Sequence, residues 1–271
     1  MDTYCVFGNP IQQSKSPFIH QAFAFQTNQR LSYDKHHSEV EDFEQDVKQL
    51  IAAGAKGANV TAPFKERACA MCDQLTDRAK QSGAVNTLSF NNGEINGDNT
   101  DGIGLVEDLL RNNIALKNQR ILMLGAGGAA KGVMLSLLEQ QPASLTIANR
   151  TLSKAQALIA PFNDYPVEAF DFDNLPLAPF DLVINATSAG LSGHLPALDP
   201  AHINADITCY DMSYASELTP FLSWAQSNGA TILIDGLGML VGQAAASFEI
   251  WRQVSPKVEP VLTALRAEMA E

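Results

Sequence analysis

The sequence has little positive charge. It contains 18 lysine and arginine residues against 30 aspartate and glutamate residues, which gives a formal net charge of −12 at pH 7. This balance disfavours binding to the phosphate backbone of nucleic acids and to anionic membrane surfaces. We therefore expect no nucleic-acid partner and no membrane partner. A small anionic ligand is still compatible with the composition, because one nearby basic group outweighs a distant average.

Long apolar runs are also absent. No window approaches the roughly 20 consecutive apolar residues that a membrane-spanning helix needs. Met1 is followed by Asp2 and a short apolar segment at 4–7, which lacks the basic start and the longer apolar stretch of a signal peptide. These features predict a cytoplasmic location.

Cysteine is scarce, with only Cys5, Cys69, Cys72 and Cys209 in 271 residues. Cys69 and Cys72 form a C-x-x-C, a spacing found in redox pairs and in half of many zinc sites. No second cysteine pair and no paired histidine motif completes such a site. The sequence therefore predicts thiols that pack in the interior and no bound metal.

The sequence is rich in short apolar runs that alternate with amphipathic helical stretches, a pattern typical of α/β proteins. In the first hundred residues it predicts strands at 4–7, 31–36, 57–60 and 85–90 and helices at 16–26, 40–53 and 64–71. Beyond them it predicts a helix at 100–111, strands at 120–124, 144–148, 181–185, 207–211 and 231–234, and closing helices at 239–252 and 258–269. Buried apolar strands separated by helices indicate a doubly wound parallel sheet in the second half.

The strongest local motif follows the apolar strand at 120–124. It reads Gly125-Ala126-Gly127-Gly128-Ala129-Ala130 and fits the sequence strand, G-x-G-x-x-A, helix. Glycines at these positions allow a tight turn and bring backbone N–H groups close to a pyrophosphate. A small residue at Ala130 lets the next helix pack close to the sheet with its N-terminus towards the phosphates. The motif in this context predicts dinucleotide binding.

The residues after the next strand indicate which dinucleotide is bound. An NAD enzyme usually has an acidic residue there for the ribose 2′-hydroxyl. This chain has Asn149, Arg150 and Thr151, with Lys154 one turn later. A guanidinium and an ammonium can hold a 2′-phosphate that a carboxylate would repel. NADP is therefore favoured, and a water-exposed basic helix start is the alternative.

Polar residues are concentrated at predicted strand ends and helix starts in the first hundred residues. Ser14 and Ser16 flank a helix start, where they could cap the helix or hold an anion such as a carboxylate. Asn59 and Thr61 lie on one side of a strand end by the two-residue alternation. Lys65 falls in the first turn of a helix, where it opposes the helix dipole. That mild misfit suggests a functional lysine.

Several blocks, taken in order, resemble the signature blocks of the shikimate dehydrogenase family and cover nearly the whole chain. They are Gly8–Ile11, Ser14–Pro17, Asn59–Thr61, Pro63–Lys65, Gly83–Thr87, Gly97–Gly102, Gly125–Ala130, Asn149–Thr151, Asn185–Ser188, Tyr210–Met212, Asp235–Leu240 and Gln243. Two departures are Gln13, where the family commonly has histidine, and Ala62, where it usually has valine. Neither removes an atom of the expected catalytic groups.

The resemblance implies a two-domain α/β protein that reduces 3-dehydroshikimate to shikimate reversibly with NADPH, in chorismate and aromatic amino acid biosynthesis. It implies a substrate-binding and catalytic domain at 1–100 and an NADP-binding Rossmann domain at 101–236. The C-terminal helices at 237–271 would pack back on the substrate domain. The expected assembly is a monomer or a homodimer.

The same resemblance assigns roles by position. Lys65 and Asp101 would form the catalytic pair. The substrate would be bound by Ser14, Ser16, Asn59, Thr61, Lys65, Asn86, Asp101, Tyr214 and Gln243, with the two serines and Tyr214 at its carboxylate. The cofactor would be bound by Gly125, Ala126, Gly127, Gly128, Ala129, Asn149, Arg150, Thr151 and Lys154, with Thr187, Met212, Gly236 and Met239 along the nicotinamide.

Two alternatives stay open. One is a quinate/shikimate dehydrogenase of the same superfamily, with broader substrate choice or a preference for NAD. The other is a non-catalytic sensor that binds a dinucleotide and a metabolite. The sensor is disfavoured, because the chain keeps both Lys65 and Asp101.

Overall fold

The computed structural model describes residues 1–187, 195 and 197–270 and divides into two compact units. The first unit consists of Met1–Gly104 and Leu240–Glu268, and the second of Leu105–Met239 with residues 269–270. Each unit contains a six-stranded sheet. Ser188, part of one family-like block, lies outside the described residues.

The first unit has a mixed sheet. Its strands are β1 (Asp2–Gly8), β2 (Leu31–His37), β3 (Gly57–Val60), β4 (Gln74–Leu75), β5 (Thr87–Asn91) and β6 (Glu94–Asp98). They lie in the order β2-β1-β3-β5-β6-β4, with β1 parallel to β2 and β3 and with β5 antiparallel to β3 and β6. The β5–β6 hairpin turns at Asn92 and Gly93, which both have positive φ as such a turn requires.

Helices cover this sheet. They are α1 (Ser16–Gln26), α2 (Phe43–Ala52), α3 (Lys65–Ala70), α4 (Asp77–Ser82), the start of α5 (Asp101–Arg111), most of α9 (Leu237–Arg252), and α10 (Val258–Ala270). Helix α2 buries Phe43 and Val47, which are four residues apart and therefore share one face. The ring of Phe43 stacks on that of Phe64 with 4.6 Å between centroids. This apolar contact ties α2 to the residue before α3.

The second unit has a parallel sheet. Its strands are β7 (Arg120–Leu124), β8 (Ser144–Ala148), β9 (Val167–Phe170), β10 (Leu182–Asn185), β11 (Thr208–Asp211) and β12 (Ile232–Asp235), and its helices include α6 (Gly128–Leu138), α7 (Leu152–Ile159) and α8 (Pro220–Ser227). The strand order is β12-β11-β10-β7-β8-β9, and every adjacent pair is parallel.

Both faces of the parallel sheet are apolar. On β7, Ile121 and Met123 belong to one buried cluster, and Leu122 and Leu124 to another. Since side chains alternate along a strand, these two clusters lie on opposite faces. This burial explains why the strand reads as a continuous apolar run, and it confirms the doubly wound sheet that the sequence predicts.

Some elements are not predicted by the pattern. They are β4, β6, β9, α4 and α8. Strand β6 reads Glu-Ile-Asn-Gly-Asp and has a single apolar residue, so its pairing with β5 is what makes it a strand. Helix α4 has only six residues, and its start is capped by Thr76, whose hydroxyl accepts from the N–H of Ala79.

The four thiols lie at different depths, since Cys5 and Cys209 are buried in the interior and Cys69 and Cys72 are only partly buried. All four thiols are free, and burial raises the pKa of Cys72 to about 12. No group of three or more His, Cys, Asp or Glu residues in the described part is placed to hold a metal ion. Among the same residues, no helix is long and apolar enough to cross a bilayer.

Candidate active site

Lys65 and Asp101 form an ion pair in the first unit. Lys65 is the first residue of α3, Asp101 is the first residue of α5, and Nζ lies 2.5 Å from Oδ2. The lysine side chain is 27% exposed and the aspartate 10% exposed, so the ammonium remains accessible while the carboxylate is mostly covered. An ammonium has three N–H bonds, and Asp101 takes one. Within the described part of the chain the other two have no protein partner, so they can bind a ligand.

Asn86 holds the other oxygen of the same carboxylate. Its Oδ1 accepts from the backbone N–H of Thr100 at 2.9 Å, which fixes the orientation of the amide. Nδ2 therefore faces Oδ1 of Asp101 at 2.8 Å, and it also lies 3.2 Å from Oε1 of Gln243 on α9. The predicted residues Lys65, Asp101, Asn86 and Gln243 thus lie in one hydrogen-bonded group.

Asn59 lies on β3 and is buried. Its Oδ1 accepts from the hydroxyl of Tyr33 at 2.7 Å, and its Nδ2 lies 3.0 Å from the carbonyl oxygen of Asn86. Nδ2 also lies 3.0 Å from Oγ of Ser247 on α9. Asn59 is therefore connected to the group around Lys65 by its hydrogen bond to Asn86.

The serine segment and Thr61 lie at one edge of the sheet. Ser14 and Ser16 follow β1, and Thr61 follows β3; because these strands are parallel neighbours, their carboxyl ends are adjacent. Residue Lys15 occupies the N-cap of α1 and makes no side-chain cap bond, while Oγ of Ser14 accepts from the N–H of Ser16 at 3.3 Å. The hydroxyl of Ser14 thus satisfies the first N–H of α1, although Ser14 is not the N-cap residue.

A close approach explains one glycine at this edge. A Cβ on Gly8 would lie 2.7 Å from the Cγ2 atom of Thr61 and 2.7 Å from Cδ1 of Ile11. Only glycine lets the end of β1 pass so near the threonine that follows β3. The short distance keeps the serine segment beside Thr61.

The glycine turn of the second unit is open where a cofactor phosphate needs space. Gly125 has φ of +103°, which favours glycine, and a Cβ there would lie 3.0 Å from Cγ2 of Thr187. Among the residues that the structure describes, none has an atom within 4 Å of a Cβ placed on Gly127 or Gly128. Gly127 is the N-cap of α6, and the first N–H groups of a helix have no partner within the helix. The turn therefore fits the pyrophosphate of a dinucleotide.

The basic residues lie at the same edge of this sheet. Strand β8 is the parallel neighbour of β7, so Asn149 and Arg150 follow at the edge where the glycine turn lies. The side chains of Arg150 and Lys154 are exposed, and within the described residues neither has an ion pair. Asn149 Nδ2 donates to the carbonyl of Thr151 at 2.9 Å, which shapes the start of α7. The geometry leaves two cations free to bind an anionic group.

The residues predicted to line the nicotinamide follow β10, β11 and β12. Thr187 donates through both its N–H and its hydroxyl to Oδ1 of Asn185. A Cβ on Gly236 would lie 2.2 Å from the carbonyl oxygen of Met212, so glycine is required where these two segments touch. Met239 follows Gly236 by three residues and is buried in the first turn of α9. Tyr214 is half-buried in this second unit, and its contact with a substrate carboxylate stays a prediction.

Three hydroxyl residues of the first unit receive no role from the sequence, although Thr87 lies in one of the family-like blocks. Tyr33, Thr87 and Ser247 are buried and hydrogen-bonded to the predicted site residues Asn59 and Asn86. One signal was available for Ser247, because it lies four residues after Gln243 and so shares its helical face. Tyr33 carries no comparable signal, since it lies on a different strand.

The comparison with protein families covers most of the chain. A model described as shikimate dehydrogenase substrate binding domain matches residues 6–88. A model described as shikimate/quinate 5-dehydrogenase matches residues 108–192. A third, described as shikimate 5′-dehydrogenase C-terminal domain, matches residues 236–266.

Individual relatives match over the full length. The shikimate dehydrogenase (NADP(+)) of Colwellia psychrerythraea is 55% identical over 268 residues, which cover 99% of this chain and 98% of that protein. The protein of the same name from Photobacterium profundum is 53% identical over 275 residues and is covered completely, as is this chain. A crystal structure of an Ael1 enzyme from Pseudomonas putida superposes with a TM-score of 0.94 at 42% identity and covers 98% of each chain.

Proposed function

This chain belongs to the shikimate dehydrogenase family of NADP-dependent oxidoreductases, and we propose that Lys65 and Asp101 catalyse its reaction. The reaction is the reversible reduction of the ring ketone of 3-dehydroshikimate to the hydroxyl of shikimate, a step of chorismate and aromatic amino acid biosynthesis. The observation that carries the assignment is the 2.5 Å contact between Lys65 and Asp101, in which the ammonium keeps two further N–H bonds.

The ammonium of Lys65 acts on the ketone oxygen. When bound, NADPH would supply a hydride to the ketone carbon, so that the electron pair of the C=O π bond would move to oxygen. An N–H of Lys65 stabilises the charge that develops there and transfers its proton to give the hydroxyl. In the reverse direction the neutral amine accepts the hydroxyl proton. Solvent exchanges the lysine proton between turnovers.

Asp101 orients the lysine. Its Oδ2 accepts from the ammonium, and its Oδ1 is held by Asn86. Because both oxygens have partners, the carboxylate keeps one direction and Lys65 points one way. Asp101 also offers an acceptor to the reacting hydroxyl.

Substrate recognition uses the polar groups around this pair. We assign the substrate carboxylate to the hydroxyls of Ser14 and Ser16, with Tyr214 near the same end. The ring hydroxyls are assigned to Asn59, Thr61, Asn86 and Gln243. Two observations support these assignments. All of these residues except Tyr214 belong to the first unit, and they are linked by the hydrogen bond between Asn86 and Gln243 and by the pairing of β1 with β3.

The cofactor is held by the second unit. The glycine turn, Gly125 to Ala129, would cradle the pyrophosphate, and Asn149, Arg150, Thr151 and Lys154 would hold the adenosine end with its 2′-phosphate. Thr187, Met212, Gly236 and Met239 would lie along the nicotinamide. The open space over Gly127 and Gly128 supports the phosphate position.

The direct test follows the absorbance of NADPH while the purified protein meets shikimate and NADP. Parallel reactions contain NAD in place of NADP and quinate in place of shikimate. NADPH formation from shikimate is the expected result. No turnover of shikimate with either cofactor would overturn the proposed function.

Broader specificity is the second candidate. The family model that matches residues 108–192 carries the description shikimate/quinate 5-dehydrogenase, which names both substrates. Turnover of quinate at a rate comparable with that of shikimate would favour the hypothesis of broader specificity. The exposed Arg150 and Lys154 argue against a preference for NAD.

Three further assignments accompany the proposal. The functional boundaries are those at 1–100, 101–236 and 237–271, the assembly is a monomer or a homodimer, and the compartment is the cytoplasm. We also propose no nucleic-acid partner, because the net charge of −12 disfavours binding to a phosphate backbone. Light scattering of the purified chain distinguishes the two assemblies.

A further inference from the structure

A row of buried polar side chains leads through the first unit to the carboxylate of Asp101. We call this row the hydroxyl relay, and it consists of Tyr33, Asn59, Ser247, Thr87 and Asn86. Tyr33, Thr87 and Ser247 are 1%, 0% and 0% exposed, so water does not compete for their hydrogen bonds. The proposed function uses none of these three hydroxyls.

The orientation of Asn59 sets the direction at the far end. Its Nδ2 lies 3.0 Å from the backbone carbonyl of Asn86, which can only accept. Its Oδ1 therefore faces Tyr33, whose hydroxyl must donate across 2.7 Å. Burial holds the pKa of Tyr33 well above its ordinary value, so the phenol keeps its proton.

The middle of the relay contains the hydroxyls of Thr87 and Ser247. Oγ1 of Thr87 lies 2.8 Å from Oδ1 of Asn86, an amide oxygen that can only accept, so Thr87 uses its one hydrogen there. Oγ of Ser247 lies 2.7 Å from Oγ1 of Thr87 and 3.0 Å from the carbonyl oxygen of Gln243, so its one hydrogen is shared between these two acceptors. The oxygen of Ser247 in turn accepts from Nδ2 of Asn59 at 3.0 Å.

The near end of the relay meets the catalytic pair. Oδ1 of Asn86 receives the hydroxyl of Thr87 and the N–H of Thr100, so the amide cannot turn over without losing two donors. Nδ2 of Asn86 consequently presents N–H to Oδ1 of Asp101 at 2.8 Å. From Thr87 to Asn86 and from Asn86 to Asp101 the donors point towards the carboxylate, and such chains strengthen each member by mutual polarisation.

We propose that Thr87 and Ser247 are positioning residues that fix the amide of Asn86, and through it the carboxylate of Asp101, in the direction that Lys65 requires. The inference rests on the proposed function of Lys65 and Asp101. If Thr87 did not donate to it, the amide of Asn86 would be less constrained and could present its oxygen to the carboxylate. That arrangement would repel Asp101 and loosen the ion pair.

The test compares variants of the full-length protein in the shikimate and NADP assay. Thr87→Val removes the hydroxyl with little change in shape, and Thr87→Ser restores it. Ser247→Ala interrupts the relay one step further away. Ser89→Ala is the matched control, because Ser89 is a buried serine on the same face of β5 that lies outside the relay.

Loss of one hydrogen bond in the relay corresponds to about a 2–10-fold change in rate. We expect Thr87→Val to lower kcat by about 10-fold with KM for NADP unchanged, and Ser247→Ala to lower it by about 2–3-fold. Thr87→Ser should recover most of the rate, and Ser89→Ala should match wild type. Thermal unfolding of each variant identifies any loss that comes from instability.

A second background separates positioning from packing. In a Lys65→Ala protein, Thr87→Val should cause no further loss of kcat, since its effect passes through the pair that is already broken. The same fold-loss in both backgrounds, or wild-type kcat in Thr87→Val, would overturn the positioning role alone. A wild-type protein that fails to oxidise shikimate would instead overturn the proposed function together with this inference.

Discussion

Lys65 lies at the first position of α3, where its positive charge faces the positive end of the helix dipole. Such a placement costs about 0.3–1 kcal/mol at an exposed site. The carboxylate of Asp101, 2.5 Å from Nζ, offsets this cost and gives the ammonium a fixed direction. A residue that is locally unfavourable but held by a specific partner is expected where chemistry takes place.

Replacing Lys65 with alanine should therefore remove the proton donor while leaving most substrate contacts. We expect kcat to fall by about 10²-fold or more, the range of general acid catalysis, with a much smaller change in KM for shikimate. Steady-state kinetics measure both. Lys80→Ala, which changes an exposed lysine on α4, is the control. A kcat near wild type for Lys65→Ala would exclude Lys65 from the chemistry.

Arg150 gives a second prediction for a single residue. Its exposed guanidinium follows β8, where a 2′-phosphate is expected. Loss of one charge-assisted hydrogen bond is worth about 1.5–3 kcal/mol, so Arg150→Ala should weaken NADPH binding by about 10–150-fold. NADH lacks the 2′-phosphate and should bind almost unchanged. Calorimetric titration with both cofactors checks this, and equal losses would remove the 2′-phosphate assignment.

At the scale of elements, the ends of the parallel strands determine where ligands can bind. Two glycines at these ends have opposite surroundings: a Cβ on Gly127 has no described neighbour within 4 Å, whereas a Cβ on Gly236 would lie 2.2 Å from a backbone oxygen of Met212. The first glycine leaves room for a ligand, and the second allows two segments of the chain to touch. The same substitution should therefore have different consequences at the two positions.

We expect Gly127→Ala to change the free energy of unfolding by less than about 1 kcal/mol, because the N-cap is extended and nothing is displaced. Its methyl group should weaken NADPH and NADH alike by occupying the phosphate space. Gly236→Ala should instead destabilise the fold by about 1–3 kcal/mol, the usual cost of overpacking. Chemical denaturation and cofactor titration of both variants test the contrast, which fails if Gly127→Ala is the less stable of the two.

At the scale of the whole molecule, one buried histidine links stability to pH. His20 on α1 is 0% exposed and stacks on Tyr33 with 4.1 Å between ring centroids. Neither ring nitrogen has a hydrogen-bond partner among the described residues. Burial lowers the pKa of His20 to about 3, against the ordinary histidine value of 6.5. The folded protein therefore holds this ring neutral where the unfolded chain would protonate it.

The sign of the effect follows from proton binding. Between pH 6.5 and about 3 the unfolded chain binds a proton at His20 that the folded protein does not, so stability falls as pH falls through this window. The contribution lost at pH 4.5 is about 2–3 kcal/mol. His20→Phe keeps a stacking ring without a titrating nitrogen and should lose less stability than wild type between pH 7 and pH 4.5.

Denaturant unfolding at several pH values measures this difference. Phe23→Leu is the control, since Phe23 contacts the His20 ring and does not titrate. Its difference from wild type should be independent of pH. A His20→Phe protein whose stability falls with pH as steeply as that of wild type would exclude His20 as the cause.

The sequence by itself determined the α/β class, the parallel sheet, the glycine turn and the family. These features depend on neighbours in the chain: apolar runs such as 120–124 make buried strands, and the turn after β7 needs glycine whatever lies around it. The basic residues Arg150 and Lys154 also follow from their place after a strand. Strand β6 could not be predicted in this way, because its pairing with β5 outweighs its polar composition.

Only the tertiary structure decided which polar groups meet. Ser247 and Thr87 are 160 positions apart in the chain, and Lys65 and Asp101 are 36 apart, yet each pair is within hydrogen-bond distance. Hydrogen bonds have a short range and a fixed direction, so they depend on how α9, β5 and α5 pack rather than on the residues next to each group. The sequence likewise shows a histidine at position 20. It does not show that the ring is enclosed by aromatic side chains such as Tyr33 and Trp251, which the fold brings together.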